Sequence, residues 1–301
     1  MVAMDEKELE NFRHAGRIAS KVREASKSLI MVDASLLDIA ETTEQMIIEE
    51  GARPAFPVNI SVNEIAAHYT PGADAADVLG EKDLVKIDVG VEFEGAIGDT
   101  AYTIDLGGEN ANLVKASEEA LEEALRIMKP GVTVGSIGGV IEDRIKKYGY
   151  RPIANLTGHM IKSNDLHAGV EIPNVRTDDE FELMEGDVFA VEPFATTGGG
   201  YVADLNQVEI YSLFAPAKIR MQQSRKIVEY ALTNFGMLPF AERWVMKEFQ
   251  SKVMVSMGLK ELLKNHFIRA YPVLRETDGG MVAQSEHTIY VGADGVEVLT
   301  K

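Results

Sequence analysis

Apolar positions recur at helical spacing from the start of the chain. Leu9, Phe12, Ala15 and Ile18 fall three apart, which predicts an amphipathic helix over 5–30. A second helix is expected from Ser35 to Glu50, with Asp33 or Ser35 as its cap and Gly51 as its stop. Pro54 and Pro57 force the stretch Ala52–Val58 to be extended or looped. The period then changes. Leu84–Phe93 and Ala96–Leu106 read as apolar strands, and Glu94-Gly95 between them is a two-residue hairpin turn. Helices are predicted over 110–128 and 134–148, separated by Pro130-Gly131 and closed by Gly149, with strands around 152–158, 187–194 and 202–212.

From Pro216 to Phe267 the strand pattern stops and helical runs take over: Ile219–Phe235, Ala241–Met257 and a short Leu259–Asn265. Strand character returns in Glu286–Val291 and Val296–Leu299, around a Gly292-Ala293-Asp294-Gly295 turn. A helical stretch followed by more strand is an insertion in an α/β framework, not an appended domain. The organisation expected is a catalytic domain over 1–215 and 276–301, with a helical insertion at 216–275. A short internal repeat suggests two halves. Glu81 to Asp88 and Glu185 to Glu192 both read acid, any, acid, apolar pair, any, apolar, acid. Each ends a hydrophobic strand in a carboxylate.

Composition narrows the chemistry. In 301 residues there are 30 Lys and Arg against 48 Asp and Glu, a formal charge of −18, which disfavours nucleic-acid binding through phosphate attraction. No run approaches the ~20 apolar residues of a membrane span, and the charged opening from Met1 to Arg17 shows no signal-peptide pattern, so a cytoplasmic protein is expected. There is no cysteine, which removes disulfides, thiolate metal sites and cysteine nucleophiles together.

The acids in the strands do not fit strand preference. Asp88 ends Leu84-Val85-Lys86-Ile87, and Asp99 lies within Ala96-Ile97-Gly98-Asp99-Thr100-Ala101-Tyr102. If Glu94-Gly95 is the turn, Asp88 faces Ala101, and Asp99 is its diagonal neighbour on the same face at roughly 7–8 Å. Glu192 ends Val188-Phe189-Ala190-Val191, Glu286 opens a strand, and His159 follows Gly158 after the strand-like Ile153–Leu156. Any one of these reads as a surface acid or a satisfied polar group. Together they need several independent violations, whereas Glu118-Glu119 and Glu122-Glu123 lie on a helix and read as a solvated face. Four carboxylates balance two divalent cations, which could share a water and make it nucleophilic near neutral pH. An oxygen-rich set with one imidazole suits Co, Mn, Fe or Zn in a hydrolytic site. With few basic residues near the motifs to hold phosphate, an amide is the better substrate.

The order Asp88, Asp99, His159, Glu192, Glu286 resembles the five metal ligands of methionine aminopeptidases, and of the wider pita-bread peptidases that include prolidases. Ala66-Ala67-His68-Tyr69-Thr70-Pro71, Lys86-Ile87-Asp88-Val89-Gly90, Gly158-His159, Glu192-Pro193-Phe194 and Gln284-Ser285-Glu286-His287-Thr288 resemble the type 2 subclass, as does the helical insertion. The start of the chain suggests an archaeal-type short form. The resemblance implies a pseudo-two-fold α/β (α+β) fold with a central, mostly antiparallel sheet flanked by helices. The activity implied is removal of the first methionine from nascent chains whose second residue is small, by attack of a metal-bridging water on the amide.

Carried over residue by residue, the resemblance makes Asp88 a chelating ligand of one metal and Asp99 and Glu286 bridges, with His159 and Glu192 completing the second. Glu192 would also pass the proton to the departing amine. His68 would bond the departing amide and His167 the scissile carbonyl, while Phe56, Leu166 and Tyr271 would hold the methionine side chain. His14, His266 and His287 are expected outside the ligand set, Gly198-Gly199-Gly200 is expected to be a flexible turn rather than a phosphate loop, and the 13 methionines read as core filler. The partners implied are nascent polypeptide N-termini and the ribosome, for a monomer. Two rivals remain: a prolidase-like X-Pro dipeptidase, and an inactive relative that binds nascent chains or the ribosome. All five ligand positions carry competent ligands here, which favours the enzyme.

Overall fold

The computed structural model describes residues 4–214 and 219–301, so the expected insertion boundary at 215/216 lies outside the described residues. The first helix is Glu6–Ser26, capped by Asp5 and extended by a short 3-10 turn, Lys27–Leu29. Ser35 caps the second helix, Leu36–Glu49, by accepting from the Asp38 amide. Asp33 instead occupies a left-handed turn at φ 66°. The stretch with two prolines is largely irregular, but Arg53–Pro54 pairs with Glu92 and Val91 at a sheet edge.

The Leu84–Phe93 and Ala96–Asp105 strands form the hairpin that the sequence predicts, with Phe93 opposite Ala96 and Asp88 opposite Ala101. Glu94 and Gly95 both have positive φ, 51° and 90°, as a primed two-residue turn demands. Helix Glu6–Ser26 lies directly on this hairpin. A Cβ on Gly98 would stand 2.8 Å from the Ala15 carbonyl, so glycine permits that close approach. Helices Ala111–Ile127 and Val134–Lys147 cover the other half. Their apolar faces bury Leu113, Leu121, Ile137 and Ile141 against Phe189, Val191 and Ile289.

The repeat has a structural basis. The Asp83 carboxylate accepts from the Gly80 amide at 2.8 Å, and the Asp187 carboxylate accepts from the Met184 amide at 2.9 Å. Both strands thus start from the same aspartate-closed turn. The halves meet along Asp99–Ala101 and Glu286–Thr288. Thr288 Oγ1 donates to the Asp99 carbonyl and accepts from its amide, and the Glu286 amide donates to the Ala101 carbonyl at 3.0 Å.

Some expected elements are displaced. The strand expected around 152–158 divides into Arg151–Pro152 and Thr157–Ile161, so His159 lies inside a strand and Ile153–Leu156 connects the two pieces. The expected helix Ala241–Met257 breaks at Gln250, which takes a left-handed φ of 49°; the observed helices are Glu242–Phe249 and Lys252–Lys264. The second absorbs the predicted Leu259–Asn265 helix. Helical structure in this region spans Gln222–Lys264, and Ile268–Glu276 is a strand between Val202–Leu213 and Ile65–Ala67. The triple glycine is an anchored loop, not a flexible turn. Buried Glu276 accepts from the amides of Gly200, Asp278 and Gly280, and a Cβ on Gly198 would collide with its carboxylate at 2.2 Å. Burial alone would raise its pKa, but these donors outweigh it and hold the carboxyl below its ordinary range.

A buried ion pair ties the helical region to the rest. Arg243, 1% exposed, donates to Glu44 on the second helix, to Thr70 Oγ1 at 2.6 Å and to the Pro71 carbonyl at 3.2 Å. Glu44 also accepts from the Val58 amide and Trp244 Nε1, at 3.1 and 2.9 Å. Burial still pushes the Glu44 carboxyl up despite these partners. Arg243→Ala should therefore cost about 3–5 kcal/mol, because a buried carboxylate loses its cation. Arg243→Met with Glu44→Gln should recover much of that loss. Denaturant titration of the full chain checks both, and a single-variant loss below about 1 kcal/mol would contradict a structural role for the pair.

Candidate metal centre

One cavity of about 410 Å³ is lined by all ten sequence-predicted site residues: Phe56, His68, Asp88, Asp99, His159, Leu166, His167, Glu192, Tyr271 and Glu286. Each arrives by a different local rule. Asp88 and Asp99 share a face because the hairpin register sets Asp88 opposite Ala101 and Gly90 opposite Asp99. His159 pairs with Ala190 across neighbouring strands, and Glu192 follows the end of the Val188–Val191 strand. Glu286 is drawn beside Asp99 by the Thr288 and Ala101 bonds that join the halves.

Asp99, His159 and Glu286 are buried, and each offers a ligand atom within 4.8 Å of the others'. His159 Nε2 lies 3.6 Å from Asp99 and 3.7 Å from Glu192. Burial drives the His159 pKa down to about 3, so at neutral pH its Nε2 can present a lone pair to a cation. The carboxyls shift the other way. Burial raises Asp88 to about 7, and burial together with the neighbouring carboxylates raises Asp99, Glu192 and Glu286. Asp88 Oδ1, Asp99 Oδ1 and Glu286 Oε2 are buried without a hydrogen-bond partner. Buried acceptors that repel one another and lack donors need protons or cations between them. The donor set fits hard or borderline divalent ions.

Above the acids stand three rings. The His159 and His167 centroids are 4.5 Å apart, His167 stacks on Tyr271 at 6.4 Å, and His68 meets Tyr271 edge-on at 5.5 Å. Loss of solvation within the cavity, then His68 and Arg269, lower His167 to about 4 although the residue is exposed, and burial lowers the half-buried His68. Both imidazoles are therefore neutral at physiological pH. His68 takes a left-handed φ of 63°, uncommon for a residue with a Cβ, at the end of strand Ile65–Ala67, and its Nδ1 lies 3.2 Å from the Pro272 carbonyl. The Phe56 ring packs against Gly90, where a Cβ would come within 2.2 Å of it. The glycine two residues after Asp88 thus makes room for a wall of the pocket.

The other histidines lie elsewhere. His14 packs on Phe93 at 4.2 Å, His266 is exposed, and His287 Nδ1 lies 2.9 Å from Thr300 Oγ1 and 3.2 Å from Arg23. Sequence reasoning missed Gln284 as a partner of the acids. Its Nε2 donates to Glu192 at 3.2 Å while Thr103 Oγ1 donates to its carbonyl at 2.7 Å. It also missed Asn59, opposite Asp88, and the wall residues Ile210, Pro239 and Arg269. Gln284 stands two residues before Glu286 and was legible as a motif member; the wall residues carried no local signal.

Two packed halves closing on a buried acid–imidazole cluster define a metal-dependent hydrolase. Comparison with known proteins agrees. The sequence profile of metallopeptidase family M24 matches residues 10–293. The chain is 47% identical over 288 residues to the methionine aminopeptidase of Pyrococcus abyssi (strain GE5 / Orsay), covering 95% of this chain and 97% of that one. Among solved structures, a thermophilic Arx1 superposes with a TM-score of 0.88 at 21% identity, over 99% of this chain and 91% of that chain. The Thermotoga maritima methionine aminopeptidase superposes at 0.73 and 22% identity, over 99% and 98%. The chain belongs to metallopeptidase family M24, among its methionine aminopeptidases, and has the pita-bread fold.

The raised carboxyl pKa values set a sign for stability. A carboxyl whose pKa is about 7 when folded and 3.8 otherwise binds a proton in the folded state over that window and releases it on unfolding. Its contribution therefore falls as pH rises from about 4 to about 7, in metal-free protein. Asp88→Asn should match the wild type near pH 4 and become progressively more stable than it up to about pH 7. Denaturation in chelator at a series of pH values checks this, and a difference that shrinks with rising pH would reverse the assignment.

Proposed function

We propose that this chain removes the N-terminal methionine from polypeptides whose second residue is small, using two divalent metal ions. The observation that carries the reading is the mutually repelling acid cluster, with one buried oxygen each of Asp88, Asp99 and Glu286 lacking a partner, in a cavity shared with two neutral imidazoles. Asp88, Asp99, His159, Glu192 and Glu286 would hold the ions, whose chemistry when bound is to polarise the scissile carbonyl and to lower the pKa of a water between them.

The chain's own residues supply the rest. Phe56, Leu166 and Tyr271 hold the methionine side chain, and neutral His167 donates a hydrogen bond to the carbonyl oxygen as negative charge develops on it. His68 bonds the amide nitrogen that departs. Glu192, held by Gln284, takes the proton from the attacking water and delivers it to the leaving amine. Pro239, ahead of the Glu242–Phe249 helix, and Arg269 and Tyr271 of strand Ile268–Glu276 complete the cavity wall. This activity belongs to a cytoplasmic monomer working on chains as they emerge from the ribosome. In the described residues no helix is long and apolar enough to cross a membrane.

Metal analysis with activity on Met-Ala-Ser tests the reading. Wild type should bind two ions, and Asp99→Asn should lose metal and cut turnover by orders of magnitude; unchanged metal content and activity would remove Asp99 from the centre. Met-Ala, Met-Gly and Met-Ser peptides should be cleaved far faster than Met-Lys or Met-Phe, and preferred hydrolysis of X-Pro peptides would instead indicate a prolidase-like activity. His68→Ala and His167→Ala should each lower kcat by ~10²–10³-fold while both ions stay bound. Metal loss in either variant would return that histidine to the ligand set.

A further inference from the structure

The cavity-facing side of the strand pair Val202–Leu213 and Ile268–Glu276 continues outward past Tyr271. Ile210 pairs with Tyr271 and Ser212 with Arg269, so these four residues, with Phe214 just beyond, alternate onto one face. Ser212 Oγ lies 3.2 Å from the Tyr271 hydroxyl and ties the inner rungs together. At the outer end the Arg269 guanidinium sits 5.8 Å from the centre of the Phe214 ring. Arg269 lines the same cavity as the acid cluster, yet it is exposed, as is Phe214. Two residues along a strand span about 6.6–6.8 Å, close to the repeat of an extended peptide. Arg269 therefore stands about one dipeptide farther out than Tyr271.

The chain carries a formal −18, and its arginines generally find carboxylates: Arg275 on the same strand pairs with Glu64, and Arg13 with Glu297. Among the described residues Arg269, like Arg151, Arg220 and Arg225, makes no ion pair, and of these four it alone lines the cavity. A guanidinium within cation–π reach of an aromatic ring, exposed and lining the cavity, can offer its fork to a carboxylate.

We propose that Arg269, braced on Phe214, is a specificity-determining residue that binds a carboxylate carried by the third residue of the substrate, either its side chain or, in a tripeptide, its terminus. This rests on the aminopeptidase reading above, with methionine held at Tyr271 and the chain leaving along the strand pair.

Amidated Met-Ala-Glu, Met-Ala-Gln and Met-Ala-Lys, with free-acid Met-Ala-Gln beside them, test it on the metal-loaded enzyme. The kcat/KM ratio of the Glu to the Lys peptide should be about 3- to 10-fold and shrink as salt is added. In Arg269→Gln it should fall to near one, and in Arg269→Glu it should invert. Ratios within one protein sample cancel differences in folded or metal-loaded fraction. A gain for free-acid over amidated Met-Ala-Gln that vanishes in Arg269→Gln would assign the same fork to a chain terminus. Cleavage of all the peptides with neither preference, or with preferences that survive Arg269→Gln, would overturn the role of Arg269 and leave the aminopeptidase reading standing. Failure to cleave any Met-Ala peptide would sink the aminopeptidase reading, and this proposal with it.

Discussion

Repulsion among the buried carboxylates of Asp88, Asp99, Glu192 and Glu286 is the constraint around which this molecule is built. Left to themselves, such groups move apart or take up protons, and the upward pull on all four carboxyls shows how strongly the site disfavours their joint ionisation. Only a rigid frame can hold them together until cations arrive. The frame is a set of antiparallel strands whose backbone bonds are spent on one another. Asp99 and Glu286 meet because the segments that carry them are hydrogen-bonded across the two halves through Thr288 and Ala101.

Small residues and strained backbone appear where this frame needs them. Gly90 leaves space for the Phe56 ring and Gly98 lets the first helix lie on the strand beneath it. His68 accepts a left-handed conformation, and the loop that follows it is held by Thr70, which donates to the Val58 carbonyl at 2.7 Å and accepts from Arg243. Strain at a residue lining a cavity is tolerated when its surroundings over-determine it. Here the surroundings include the helical region, because the Arg243–Glu44 pair fastens that region to the same loop.

Electrostatics divides the molecule into zones. The outer surface carries the acid excess, largely solvated or paired with lysine and arginine at little net gain. Inside the cavity the lining carries three kinds of group: the four carboxylates, the imidazoles of His68 and His167, and the exposed Arg269 guanidinium. Loss of solvation lifts the acids and lowers His68 and His167, although His167 itself is exposed.

What the sequence determined by itself is mostly local. The Glu94-Gly95 turn sets the hairpin register, and with a period of two that register alone puts Asp88 and Asp99 on one face. The Asp83 and Asp187 turns, the Ser35 cap and the lack of thiolate donors are likewise properties of short stretches or of composition. Tertiary structure decided the rest. The neighbouring strands that carry His159 and Glu192, the joining of Glu286 to Asp99, and the service of Gln284 to Glu192 depend on pairings between distant segments. The left-handed Gln250 breaks a helical pattern that runs through Ala241–Met257, and the pairing of Ile268–Glu276 with Val202–Leu213 joins segments distant in sequence. Turn geometry acts over a few bonds and is written in a few residues. Which strand lies beside which is chosen by burial summed over the whole core, and no short segment encodes that sum.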